Sequence, residues 1–317
     1  MPWGSRGHRA LPLPLPRLRG GEAGGLVRAR AVVDASGDAD VVAFAGAPFE
    51  LQLDSLQPMS LHFRVGHLAA TAELRDACAA VLEDANRRGR LALYGGPWMS
   101  QVADDDLYFN AVRLRGNPLD PDDLSMAEIQ GRRDAHLMYE LFKEKLPEFR
   151  DAYLVSTGPT VGVRESRRIL SDRPLRMADI ESERPRDDAV CLGGWWLDRH
   201  PAGASGYHEH GMVRPYDIGY ATLVPQELSN VWVAGRCHGA EATAQASSRV
   251  TVTCMGMGQA AGTAAALAAA AGARARELDV GQLQRRLLAD GAIILERADA
   301  VRQQGDALGE VTIDASH

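Results

Sequence analysis

Asp198 and His200 stand two residues apart after the Trp195-Trp196 pair, and on a strand that spacing puts a carboxylate and an imidazole on one face. Such a carboxylate orients the ring and raises its pKa, which makes the pair a candidate proton donor. Arg164 and Glu165, inside RESRR, offer a cation and an acid side by side; the same run also reads as an ion-pair set on a solvated helix face. His238 joins them as a further candidate. His200, His208, Glu209, His210 and His238 can be assembled into a metal site on paper, but HExxH spacing is missing and a lone His-rich loop is more often solvated, so no metal is expected. Calcium fails as well. An EF-hand loop counted from Asp34 needs Gly at the sixth position and Glu at the twelfth, where Ala39 and Ala45 stand. Hydrolysis lacks a nucleophile, since there is no GxSxG turn and no cysteine with an obvious histidine partner.

Two stretches are shaped to hold a ligand for such groups. In AVVDASGDAD (Ala31 to Asp40) an apolar strand runs into a turn carrying Asp34, Ala35, Ser36, Gly37 and Asp38. In the second, the strand VWVAGR ends at Gly235 and Arg236. A Gly/Ala helix is expected after it over Gly256 to Ala271, with Gly256, Met257, Gly258, Gln259 and Ala260 in its first turns. A helix start presents unpaired N–H groups and a positive dipole end, which stabilise an anionic nucleotide without a charged side chain. Gly256, Gly258 and Gly262 take away side chains that would hold such a ligand off. The competing reading is a Gly/Ala helix packed tightly on a sheet.

At 317 residues the chain has room for about two domains. Helical spacing runs from Thr71 to Arg88 with Gly89 as C-cap, and Ser125 with Glu128 forms a capping box ahead of a helix that Pro147 stops. A last amphipathic helix spans Asp279 to Ala292 with Asp279 as N-cap. This predicts an α/β chain whose nucleotide-binding domain comes in two pieces, 26–50 and 229–292, around an inserted α+β substrate domain over 51–228. A disordered Pro/Gly/Arg-rich leader (1–25) and a tail (293–317) flank them. A charged fraction of 24% and a net charge of −7 with no basic tract argue against nucleic acid or membrane as partner. Four scattered cysteines give no zinc or iron–sulfur spacing and agree with a reducing, cytoplasmic compartment. No run reaches the ~20 apolar residues of a membrane span.

Seven ordered blocks now carry a resemblance: DASGDAD with GAPFE, QPMSLHFR, DPDDLSMAE, GPTVGVRESRRI, GGWWLDRH, VWVAGRC and SSRVTVTCMGMGQAAGTAAA. Together they resemble the two-domain FAD-dependent oxidoreductases, the set that includes the flavoprotein component of heterodisulfide reductase. The resemblance covers roughly Leu26 to Ala292. It implies non-covalent FAD, with Ala35, Ser36 and Gly37 standing where relatives carry an Ala-Thr-Gly turn and Arg236 serving flavin phosphate or hydroxyls. A flavin does the electron chemistry, so Arg164, Glu165, Asp198, His200 and His238 are left to position substrate or supply a proton.

The pattern also departs from the family. Its members open with a strand, GxGxxG and a helix, and no such motif stands in this sequence, so the FAD/NAD(P)-binding Rossmann-like domain is expected to be incomplete. A missing N-terminal segment is the favoured explanation; a paralogue without cofactor is the other. Ala242 and Gln245 stand where relatives often place histidines. The expected function is an FAD-dependent oxidoreductase acting between a small organic substrate and an unknown acceptor, either alone or as a homo-oligomer. The alternative is a flavin-free fragment that binds a partner or complements a separate N-terminal half. An electron-carrying component of the heterodisulfide reductase type is disfavoured by the missing cluster cysteines.

Overall fold

Short apolar stretches alternate with longer helices along the chain, and a computed structural model describes residues 29–182, 184–206 and 211–294 of it. The leader over 1–25, the histidine-rich loop at His208, Glu209 and His210, and the tail from residue 295 lie outside the described residues. The chain opens with β1 (Val32–Asp34), α1 (Asp40–Phe44) and β2 (Phe49–Glu50). It continues through β3 (His62–Gly66), α2 (Ala72–Arg87), β4 (Tyr94–Ala103), β5 (Asp106–Val112), α3 (Pro121–Lys145) and β6 (Tyr153–Thr157). Then follow β7 (Arg168–Ile169), α4 (Met177–Ser182), β8 (Ala189–Gly193), β9 (Tyr216–Gly219), β10 (Val231–Val233), α5 (Ala242–Ser248), α6 (Thr251–Ala271) and α7 (Val280–Ala289).

Two units result. The first takes the residues up to Leu51, Arg167–Arg199 and those from Gly211; the second takes Gln52–Ser166 and 200–206. The sequence expectation ran the second domain on to residue 228. The first unit instead reclaims the chain at Arg167, because β7 pairs antiparallel with β2 through Phe49 and Ile169. β8 and β9 pair with each other, and Val190, Tyr216 and Ile218 share a core with Met257, Ala260 and Ala264 of α6.

In the first unit β1 and β10 run parallel, with Val32, Val33 and Asp34 opposite Val231, Trp232 and Val233. Both strands therefore end on the same side, where the turns that follow them meet. In the second unit the sheet order is β4-β5-β3-β6, all antiparallel. Phe63, Val65, Leu107, Phe109 and Ala111 point to one face and build a core with Leu74, Cys78 and Leu82 of α2 and Met138 and Phe142 of α3. The alternate residues His62, Arg64, Tyr108 and Asn110 take the other face.

α2 begins at a Thr71 cap, whose Oγ1 accepts from Leu74 N, and ends before Gly89 at φ +70°. α3 starts earlier than its expected capping box. Asp120 is the N-cap, accepting from the Asp122 and Asp123 amides, and Pro121 fills the first position. Ser125 Oγ donates to Pro121 O inside the first turn, and Glu128 accepts from the Val161 amide.

Candidate functional site

The turn after β1 is built by a buried carboxylate. Asp34, 1% exposed, accepts from Ser36 N at 3.0 Å and Ser36 Oγ at 2.7 Å through Oδ1, and from Val42 N at 3.1 Å through Oδ2. Its role is to brace the turn against α1. Ala35 and Ser36 are exposed, and Gly37 is buried at φ +80°. A Cβ on Gly37 would overlap the Arg236 guanidinium, so glycine is required both by the backbone and by this neighbour. Arg236 Nη2 donates to Asp38 Oδ1 at 2.7 Å, and Arg167 Nη1 donates to Asp38 O and to Asp40 Oδ1. Ala234 N donates to Asp34 O, and Gly235 at φ +102° faces open space. Asp34, Ala35, Ser36, Gly37, Asp38, Gly235 and Arg236 are thus brought together at the carboxyl ends of two parallel strands, where open α/β sheets bind their ligands.

The late helix corrects one expectation. α6 begins at Thr251, not near Gly256, with Val250 as an N-cap that makes no side-chain bond. The open amides are therefore those of the Thr251 to Thr253 turn. β-branched Thr251, Val252 and Thr253 concealed this first turn, because such residues favour strands. Gly256 packs on Cys191, Met257 and Ala260 are core residues, and Gln259 is exposed. Gly258 has nothing within 4 Å of a Cβ position. A cavity of about 570 Å³ lies at the helix start, lined by Gly193, Gly194, Trp195, Val250, Thr253 and Gly256 among others. Burial pushes the Cys254 thiol up while Arg236 and Arg249 pull it down, so both guanidiniums act on the first turn of α6. Cations beside a helix start favour an anionic occupant.

The catalytic candidates divide between the units. In the first, the Asp198 carboxylate accepts from Arg249 Nη2 at 2.9 Å, on a stretch that pairs, among the described residues, through the Leu197 to Gly211 bridge. In the second, Arg164 and Glu165 are buried in irregular chain, not on a solvated helix face. Arg164 Nη1 donates to Pro58 O at 2.7 Å, and Glu165 Oε2 accepts from Gln57 N at 3.2 Å. Gln57 Oε1 accepts in turn from the backbone amide of His200, which is itself buried. Gln57 therefore joins Glu165 and His200, a link that the sequence pattern does not announce.

Four further polar residues, His62, Tyr108, Asn110 and Arg113, escape the sequence reading. His62 Nδ1 lies 2.8 Å from the Tyr108 hydroxyl with the rings edge to face, and Arg113 Nη1 donates to Asn110 Oδ1 at 2.9 Å. The signal that could have found His62, Tyr108 and Asn110 is period-two alternation in HFRVG and DLYFNAV, which sets polar residues on the face away from Phe63 and Phe109; Arg113, one residue past β5, falls outside it.

A family model described as FAD dependent oxidoreductase matches residues 18–287, which is most of the chain. The chain belongs to this family. No curated protein and no solved structure matches it significantly. Membership of the FAD dependent oxidoreductase family implies FAD as the cofactor and oxidation–reduction as the general chemistry. The residues present fit such a group: a turn opened by Gly235, the Gly37 turn closed over by the Arg236 guanidinium whose buried Nε has no hydrogen-bond partner among the described residues, and an uncapped helix start. No helix among the described residues is long and apolar enough to cross a membrane.

His238 takes a structural place in this oxidoreductase. It is fully buried, with Nε2 2.7 Å from Ser248 Oγ. Burial, and then the Arg168 charge, pull its pKa from 6.5 down to about 3. The unfolded imidazole takes up a proton that the folded one refuses. Stability is therefore expected to be intact above pH 6.5 and to fall by up to about 1.4 kcal/mol per unit as pH drops from there toward 3. Urea unfolding at pH 7 and pH 5 checks this, and His238→Gln should flatten the profile.

Proposed function

We propose that the chain is an FAD-dependent oxidoreductase that passes a hydride or electrons between a small organic substrate and a separate acceptor. The first unit holds the flavin nucleotide through the Gly37 turn, Gly235, Arg236 and the amides of the Thr251 to Thr253 turn. The second unit receives the substrate, with Arg164, Glu165 and His200 among its groups. The observation that carries this is the meeting of Gly37 and Arg236 at the ends of β1 and β10, because a glycine demanded by both its φ and its neighbour belongs to a turn built for close approach. Asp198 and Arg249 act as a positioning pair beside α6. When bound, FAD supplies the electron transfer itself. The experiment is to denature the purified protein and record the flavin spectrum of the supernatant. A stoichiometric flavin supports the reading, and its absence from a well-folded protein contradicts it.

A second reading has its own observation. Among the described residues β1 pairs with β10 alone, and parallel strands are ordinarily covered and flanked by others. A strand supplied by a separate N-terminal half would sit on the other edge of β1 and complete the nucleotide site. A relation to the flavoprotein component of heterodisulfide reductase belongs with this reading, since that flavoprotein also works among partners. Flavin uptake by the chain alone decides against it.

A further inference from the structure

A cavity of about 450 Å³ lies within the second unit, lined by Leu53, Asp54, Gln57, Arg115, Asn117 and Asp123 among others. Local pairing assembles it. Met59 and Leu114 exchange backbone hydrogen bonds as an antiparallel bridge, which sets Gln57 and Pro58 alongside Arg115 and Gly116. Gly116, at φ +138°, turns the chain toward α3, where Asp123 Oδ2 accepts from Asn117 N at 2.8 Å. The Ala202 and Gly203 carbonyls, which also line the cavity, accept from Nε and Nη2 of Arg115 and fix its guanidinium. The volume falls in the range of roughly 300–1,000 Å³ that small-molecule sites occupy.

Gln57 ties this cavity to the Glu165 and His200 set. It is only 3% exposed, and its Oε1 accepts from the His200 amide at 3.1 Å, which decides which way round the side-chain amide lies. Nε2 is then left buried with no hydrogen-bond partner among the described residues. A buried donor without an acceptor is costly, and in a cavity wall a ligand oxygen, reached directly or through one bridging water, removes that cost. The other lining groups are available as well. Asn117 Oδ1 accepts from Leu119 N, so its Nδ2 donors remain for a ligand. Arg115 has N–H donors beyond those given to the two carbonyls and no carboxylate within ion-pair distance among the described residues. The Asp54 carboxylate is likewise without a described partner, and Asp123 keeps its Oδ1. Leu53, 54% exposed, adds apolar surface beside them.

Donors and acceptors therefore line one cavity, with a single guanidinium against two carboxylates. That balance disfavours an anion. An ammonium ion would answer the carboxylates but leave the Gln57, Asn117 and Arg115 donors without acceptors, whereas a hydroxyl donates and accepts at once. We infer that this cavity binds a neutral polyhydroxylated molecule, a sugar or polyol, through Gln57, Asn117, Arg115, Asp54 and Asp123, with Leu53 against its C–H surface. The inference rests on the oxidoreductase reading above and names the class of its substrate. These side chains bind and orient; none of them has to move a proton.

The test is saturation-transfer NMR on the purified full chain with myo-inositol, D-glucose and D-mannitol as neutral probes, and succinate and ethanolamine as an anion and a cation of similar size. At least one neutral probe should bind saturably, and both charged ones should bind more weakly. Asp54→Ala removes an acceptor that has no described partner, and Asn117→Asp keeps the oxygen that Leu119 N needs while removing the Nδ2 donors. Each should weaken binding of the neutral probe roughly five-fold or more. No saturable binding of any neutral probe, tighter binding of succinate or ethanolamine, or equal binding by both variants when folded would overturn the site. The wild-type comparison decides even if both variants fail to fold. Flavin content is read separately on the same sample. A flavin-loaded protein that ignores the neutral probes sinks the polyol site alone, whereas a flavin-free protein that binds one of them, and loses it in the variants, supports the site and sinks the oxidoreductase reading.

Discussion

Gly37→Val is expected to strip flavin from the protein. At φ +80° a β-branched residue is in a region that costs roughly 1–3 kcal/mol, and its Cβ overlaps the Arg236 guanidinium. Arg236 would have to leave Asp38 and swing out of the turn that it shares with Gly235. Strain and displacement act on the same few atoms, so retention of flavin should fall by about ten-fold or more. The ratio of flavin to protein absorbance measures it. Gly46→Ala is the control. That glycine has φ +77° with nothing within 4 Å of a Cβ position, so its substitution should cost stability and leave the flavin content unchanged.

Trp232→Ala should cost the first unit about 3–5 kcal/mol, the range for truncating a buried Trp. The side chain is fully buried in β10, one position from the strand end that carries Gly235 and Arg236 through Val233 and Ala234. Its Nε1 donates to the Tyr220 hydroxyl at 2.7 Å, and that hydroxyl donates to Ala275 O at 2.6 Å. Truncation therefore opens a cavity and leaves a buried phenol short of a donor. Against a total stability of roughly 5–15 kcal/mol, this is a large share. The urea midpoint followed by circular dichroism checks it. Tyr220→Phe, which removes the same relay without the cavity, should cost only about 1 kcal/mol per lost hydrogen bond.

Helices whose ends are marked by local chemistry were legible in the sequence. Thr71 and Gly89 bound α2, and Asp279 accepts from Gln282 N at the head of α7. Where the marks misled, the reason is physical. Ser125 and Glu128 imitate a capping box inside a helix that Asp120 and Pro121 had already started. Thr251 to Thr253 look like strand, yet packing of Met257, Ala260 and Ala264 on β8 carries the helix through them and through Gly256.

The two turns of the candidate site were readable because each is a glycine after a short apolar strand. Their meeting was not, since the parallel pairing of Val33 with Trp232 joins residues far apart in the chain. The polar face of His62, Tyr108 and Asn110 was hidden for a related reason. Each strand alone shows only alternation, and it takes the register of β3 on β5 to place His62 opposite Asn110. Arg164 and Glu165 were singled out by type, but their burial in irregular chain comes from Pro58 O and Gln57 N, partners that no local pattern names.

The most direct measurement is the visible spectrum of the purified chain before and after denaturation. A flavin site at the Gly37 and Gly235 turns predicts a yellow protein that releases one equivalent of flavin on unfolding, and a Gly37→Val variant that is folded and nearly colourless. A folded wild-type protein without flavin, which takes up none when FAD is added, would contradict it.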